Sequence, residues 1–197
     1  MRRTGRPSKP GTLRIVAGTL RGSRLAVPNV DGLRPTPDRV RETVFNWLAP
    51  VVAGAHCLDL YAGTGALGIE ALSRGAARCV FVERERALCA LLGDNLARLG
   101  VGGAEVVEAD ARGFLDAPPR ERFAIAFLDP PFAADLWRDS ALALERGGWL
   151  QDGAFVYVEA PFDAAPALPP NWRPHRDARA GAVRYALYRR AAADPLS

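Results

Sequence analysis

The chain has 197 residues, 49% apolar and 24% charged, with a net charge of +4. These totals fit one globular domain with a sizeable core and exclude a fibrous or disordered chain. No apolar run approaches the ~18–20 residues of a membrane span, and none follows the basic start, so neither an anchor nor a secretory signal is expected and a cytoplasmic location follows. Cys57, Cys79 and Cys89 are odd in number and widely spaced, which argues against a zinc site or a disulfide framework.

The charge is unevenly spread. Residues 1–41 hold ten Lys+Arg against two Asp+Glu, a balance of +8, while the remaining 156 residues balance at −4. A basic arm or face on a mildly acidic body suits a polyanionic partner. All but one of the basic residues are Arg, which favours stacking and bidentate phosphate contacts.

In chain order, residues 1–11 are basic and rich in Pro and Gly, and are expected to be disordered when free. Residues 13–18 and 23–28 predict two short strands joined by a turn at Arg21-Gly22, a hairpin that carries Arg14, Arg21 and Arg24. Arg34 to Leu48 follows as a basic helical segment. There Thr36 is the expected N-cap and Pro37 the first helical residue, with Val40, Val44, Trp47 and Leu48 on one face. From residue 55 strand and helix alternate: strands at 55–60, 78–83, 104–109, 122–128 and 153–159, helices at 66–74, 85–99, 111–116 and 135–146. That rhythm predicts a doubly wound, mostly parallel α/β sheet. Residues 172–179 and 182–190 predict a terminal antiparallel hairpin.

Gly63-Thr64-Gly65-Ala66-Leu67-Gly68 follows the first strand of this series and opens a helix, and Glu83 lies 20 residues after Gly63. The pattern alone admits NAD. Asp59, at the carboxyl end of that strand, would repel a pyrophosphate and suits S-adenosylmethionine, which carries a sulfonium and an ammonium. Glu83 is then expected to accept from the ribose hydroxyls. Asp110 would accept from the adenine amine, or serve as a helix cap, and the Ala111 N–H would reach a ring nitrogen.

Asp129-Pro130-Pro131-Phe132 ends the fourth strand of the series and is expected two strands further across the sheet. Two prolines remove donors and hold the loop extended. The Asp129 carboxylate and the Pro130 carbonyl can then face a planar amino group while Phe132 stacks on its ring. Such a set suits methyl transfer to an exocyclic amine, on guanine N2, on adenine N6 in DNA or on a glutamine amide. His56 and His175 carry no expected metal role.

With these stretches in view, the chain resembles the bacterial RsmD family, the small-subunit ribosomal RNA guanine-N2 methyltransferases, from Leu13 to about Arg189. The resemblance rests on Arg14-Ile15-Val16-Ala17-Gly18, Leu33-Arg34-Pro35-Thr36, Asp38-Arg39-Val40-Arg41-Glu42, the glycine segment and Asp129-Pro130-Pro131-Phe132. It implies a class I, Rossmann-like methyltransferase with a seven-stranded sheet spanning residues 35–197, an N-terminal hairpin extension at 12–34 and a basic arm at 1–11. It implies S-adenosylmethionine as cofactor, held by Asp59, Tyr61, Ala62, Gly63, Thr64, Gly65, Glu83, Asp110 and Ala111, and no metal. It places catalysis at Asp129, Pro130, Pro131 and Phe132. The implied partner is 16S ribosomal RNA in the assembled or assembling small subunit, met by a monomer. Arg14, Arg21, Arg24, Arg34, Arg39 and Arg41 are the expected RNA contacts, with structural pairing the alternative for Arg39 and Arg41.

Overall fold

The computed structural model describes residues 11–28, 36–132 and 136–192. The expected arm at 1–10 and Arg34 lie outside the described residues. Gly11 itself belongs to the first strand, so the arm's expected boundary shifts by one residue.

Strands β1 (Gly11–Arg14) and β2 (Arg24–Val27) pair antiparallel, with Gly11 opposite Val27 and Arg14 opposite Arg24. Helix α1 (Asp38–Leu48) follows, then β3 (His56–Asp59), α2 (Ala66–Ser73), β4 (Arg78–Glu83), α3 (Arg86–Leu99), β5 (Ala104–Glu108), α4 (Ala111–Asp116), β6 (Phe123–Leu128), α5 (Trp137–Arg146), β7 (Leu150–Pro161), β8 (Trp172–Ala180) and β9 (Val183–Arg190). The large sheet runs β5-β4-β3-β6-β7-β9-β8. Its first five strands are parallel, and β9 is antiparallel to both neighbours. The fold class thus agrees with the sequence, including the terminal hairpin.

The central parallel strands β3, β4 and β6 are largely buried on both faces, as crossover helices require, while the edge strand β5 is only partly buried. Cys57, Cys79, Phe81, Ile125, Phe127, Tyr157 and Leu187 pack with α1, α2, α3 and the N-terminal hairpin. Leu58, Val80, Val82, Ala126, Leu128, Val156 and Val158 pack with α4 and α5 on the other face. Leu13, Ile15, Leu25 and Val27 belong to the first core, so the N-terminal extension is fastened to the body.

The fastening is polar as well. Glu70, fully buried on α2, accepts from the Val16 and Ala17 N–H groups at 2.9 and 3.0 Å. The Thr19 N–H donates to the Ser73 carbonyl at 2.7 Å, and a Cβ on Gly18, at φ +83°, would lie 1.8 Å from that oxygen. Only glycine fits such an approach.

Helix α1 corrects one expectation. Pro37 is its N-cap residue and no side chain caps it. Thr36 is buried and contributes its carbonyl, which accepts from Arg41 Nε at 3.2 Å. Phe45, Val44, Val40 and Leu48 form the buried face, and Trp47 stacks on Tyr185 with centroids 5.6 Å apart. Among the described residues no helix is long and apolar enough to cross a membrane.

Candidate active site at the carboxyl edge of the sheet

The strand order reverses between β3 and β6, which lie side by side with Asp59 opposite Phe127. Open α/β sheets bind ligands outside the carboxyl ends of the strands at such a switch point. The sequence had put Asp129 two strands away from Asp59. It lies on the adjacent strand instead, because β6 inserts next to β3 rather than extending the series beyond β5. The Asp-Pro-Pro-Phe loop and the glycine turn therefore share one crevice.

Asp59 is 3% exposed and accepts from the Gly68 N–H at 3.0 Å. Burial pushes its carboxyl from 3.8 up to about 7. The Gly68 hydrogen bond opposes this, and the Glu83 charge adds to it. In the glycine turn, Gly65 adopts φ +75°, which an L side chain strongly disfavours. Gly68 has another function. A Cβ there would lie 2.2 Å from Phe81 Cε1 and 2.7 Å from Cys79 Sγ, so this glycine lets α2 lie close against β4.

Glu83 ends β4. One oxygen accepts from the Gly63 N–H at 2.9 Å and the other from the Glu85 N–H at 2.8 Å. A carboxylate has about four acceptor positions, so both oxygens retain capacity for a ligand. Tyr61 Oη lies 2.6 Å from Ser140 Oγ, and the Ala62 N–H donates to the Val82 carbonyl at 3.0 Å. Both residues shape the loop. Thr64 is buried. Asp110 caps α4, accepting from the Gly113 N–H at 3.0 Å, with Ala111 as the first residue of that helix. Asp110 stays exposed and able to accept a further donor.

Asp129 follows β6, and Glu159 lies near the end of neighbouring β7, one step beyond the Leu128–Val158 pair. Burial is the first cause that lifts the Asp129 carboxyl well above its usual range, Glu159 the second and Asp59 the third. Burial also raises Glu159, against the pull of the Tyr157 hydroxyl, which donates to Glu159 Oε2 at 2.7 Å. Trp137 Nε1 donates to the Glu159 carbonyl at 2.7 Å. Phe132 is exposed, with its ring centroid 5.9 Å from that of Trp137. The sequence reading missed Glu159, Tyr157 and Trp137. The Tyr-x-Glu spacing at a strand end was the one signal available, and its meaning depends on which strand lies alongside.

Asp59, Glu83, Asp110, Asp129 and Glu159 form no ion pair among the described residues. An acidic crevice without internal cations fits a cationic ligand and disfavours the pyrophosphate of NAD. No group of three or more potential metal ligands occurs among the described residues.

The expected RNA-contacting arginines divide. Arg14, Arg21, Arg24 and Arg39 are exposed, Arg14 lying 3.4 Å from Asp38. Arg41 does not belong with them. It is fully buried, donating to the Arg14 carbonyl at 2.6 Å, to Asp38 Oδ1 at 2.5 Å and to Glu70 Oε2 at 3.4 Å. Every face of its guanidinium is turned to protein, so it braces the extension and cannot grip a phosphate.

The family model described as Conserved hypothetical protein 95 matches residues 13–189. The chain is 50% identical over 186 residues to Ribosomal RNA small subunit methyltransferase D of Escherichia coli (strain K12), covering 94% of this chain and 93% of that protein. The chain belongs to the ribosomal RNA small subunit methyltransferase D family. In structure, it resembles the putative methyltransferase yhhF from Escherichia coli with a TM-score of 0.86 at 49% identity, over 93% of this chain and 100% of that one. An RNA methyltransferase from Salinibacter ruber, solved in complex with S-adenosyl-L-homocysteine, shares the fold at TM-score 0.63 and 20% identity, over 83% of this chain and 98% of that one. Methyltransferase D relatives thus span the extension, the glycine turn and the Asp129 loop together.

Proposed function

We propose that this protein transfers a methyl group from S-adenosylmethionine to the exocyclic N2 of one guanosine in 16S ribosomal RNA of the small subunit. The observation that carries this reading is the adjacency of two unpaired carboxylates at the switch point, Asp59 in the glycine turn and Asp129 in the Asp-Pro-Pro-Phe loop. The first suits a cationic cofactor and the second a hydrogen-rich amine. Membership of the methyltransferase D family supports the RNA substrate. The guanine N2 target rests on the loop chemistry and on the family resemblance.

S-adenosylmethionine, when bound, supplies an electrophilic methyl on a sulfonium. Asp59 and the Gly63–Gly65 turn would hold its cationic end, Glu83 its ribose hydroxyls, and Asp110 with the Ala111 N–H its adenine. The remaining work falls to the Asp129 loop. A guanine amine is a poor nucleophile because its lone pair is delocalised into the ring. Asp129 and the Pro130 carbonyl accept its two hydrogens, which localises the lone pair and points it at the methyl. Phe132 covers the base, which must leave any stack to enter. Asp129 would receive the proton that the amine gives up on methylation. Burial first, and the neighbouring Glu159 carboxyl second, raise the Asp129 carboxyl and make it a stronger base than a solvated aspartate. Alignment and fixed dipoles supply the acceleration, with no covalent enzyme intermediate.

The test is Asp129→Ala assayed on small subunits lacking the modification. Methyl incorporation is expected to fall by at least two orders of magnitude, while calorimetric affinity for S-adenosylhomocysteine stays within a few-fold. Retained turnover would overturn the role of Asp129. Mass-spectrometric mapping of the product nucleoside decides guanine N2 against adenine N6, and binding of NAD in place of S-adenosylhomocysteine would refute the cofactor.

A further inference from the structure

Phe132, 40% exposed, and Phe162, 47% exposed, are the two large apolar side chains left open among the described residues. Phe132 lines a pocket, and Phe162 stands in the chain between two of that pocket's lining residues, Pro161 and Asp163. This open pocket, of about 520 Å³, is lined by Phe132, Trp137, Arg138, Pro161, Asp163 and the turn that follows. Phe132 belongs to the catalytic loop. Phe162 does not, and nothing in the mechanism above uses it.

Phe162 itself does not line the pocket and is held by the terminal hairpin. Its N–H donates to the Ala182 carbonyl at 2.8 Å, just beyond the Pro161–Val183 pair that ends the β7–β9 ladder. The antiparallel return of β9 thus brings the β8–β9 turn to the edge of the sheet where Asp129 lies. From that turn Arg179 reaches back, its guanidinium carbon 3.6 Å from the centre of the Phe162 ring, with Nε donating to the Gly181 carbonyl at 2.7 Å. The hairpin around it is strongly basic. Arg173, Arg176, Arg179, Arg184 and Arg189 are exposed on β8 and β9, and Asp177 is the one acid of the two strands.

An exposed aromatic ring beside an ordered guanidinium, against a basic strand pair at the carboxyl edge of the sheet, suits a polyanion that carries planar rings. Single-stranded nucleic acid is such a ligand: its bases stack on aromatics, and its phosphates meet the arginines. A peptide partner would use the ring and leave the positive field without a counterpart. We propose that Phe162 and Arg179 form a platform for the RNA strand immediately flanking the nucleotide that enters the pocket. This proposal rests on the RNA-methylating reading above and adds a second contact surface, far in sequence from the basic N-terminal region.

The test uses full-length protein and small subunits from cells lacking it. Phe162→Ala is expected to raise KM for subunits about tenfold, the lower part of the range for one base–aromatic stack. Arg179→Ala should raise it several-fold and lower the log–log salt slope of binding by roughly 0.7–0.9. In both variants kcat and affinity for S-adenosylhomocysteine should stay within twofold, and Phe162→Trp should retain the parent KM. Equilibrium binding to a 16S RNA fragment, read without any transfer step, should weaken in parallel. That second measurement separates this platform from the catalytic assignment, because it stands even if the parent methylates another substrate. A KM and an RNA affinity unchanged in both alanine variants would overturn the proposal. So would a KM increase on whole subunits without loss of affinity for the RNA fragment, which would assign the platform to a protein neighbour.

Discussion

Asp59 shows how a binding residue can oppose the stability of the fold that holds it. Its carboxyl ordinarily titrates at 3.8 and is raised to about 7 in the folded protein. The folded state therefore holds this proton more tightly than the unfolded chain. The resulting stabilisation is full below 3.8 and is lost as pH rises through about 7. Above that, the buried anion costs the cofactor-free protein on the order of 4 kcal/mol. Asp59→Asn keeps an acceptor for the Gly68 N–H and never ionises. Urea denaturation should find this variant more stable than the parent at pH 8 and similar to it near pH 4, with weakened binding of S-adenosylhomocysteine. Equal stability at pH 8 would show that the ionised carboxylate is relieved within the protein. A second pH effect concerns Asp129, which in the proposed mechanism works only when ionised. Because its carboxyl is raised, kcat/KM should fall as pH drops through that raised value. In Glu159→Gln one neighbouring negative charge is gone, so the acid limb should move to lower pH. A limb that stays in place would assign Glu159 a purely structural role.

At the scale of elements, helix α2 joins the three parts of the molecule. Its first residues close the glycine turn, Gly68 sets its distance from β4, and Glu70 with Ser73 ties down the N-terminal extension. Gly68 has no positive φ, so Gly68→Ala tests steric contact alone. Phe81 and Cys79 are fully buried and cannot retreat freely. Guanidinium chloride titration should show a loss of about 1–3 kcal/mol, the usual cost of overpacking a core. A neutral effect would mean that α2 can lift from the sheet without penalty. The terminal hairpin makes the complementary point. Being antiparallel to β7, β9 begins at the carboxyl edge of the sheet, and only that direction brings the turn before it beside Phe162.

Across the whole molecule, charge is sorted by surface. The crevice at the sheet edge gathers carboxylates, while the exposed arginines of the N-terminal hairpin and of β8–β9 are basic. A cationic cofactor and a polyanionic substrate are thereby kept to different places, and a salt-sensitive KM is the expected consequence. Much of this was legible in the sequence. Strand and helix periodicity is a local property, so the alternating elements from residue 55 onward emerged to within three residues and the β8–β9 hairpin to within one, while β1 lies two to four residues earlier than expected. Asp59, Glu83 and Asp129 could be picked out because each follows a strand, and in a parallel sheet strand ends converge on one edge whatever their order. Three things depended on the tertiary structure. The insertion of β6 beside β3 made Asp59 and Asp129 neighbours, and strand order is a long-range choice that no periodicity records. Burial turned Arg41 from an expected phosphate contact into a brace, since Glu70, 29 residues away, meets it only after folding. The β6–β7 pairing placed Tyr157 and Glu159 beside Asp129, and the β7–β9 and β8–β9 pairings brought Phe162 and Arg179 together. The sequence by itself determined the chemistry carried at each strand end. Packing alone decided which of those groups face one another, because contacts between distant segments arise from the shared burial of whole elements rather than from any residue's own preference.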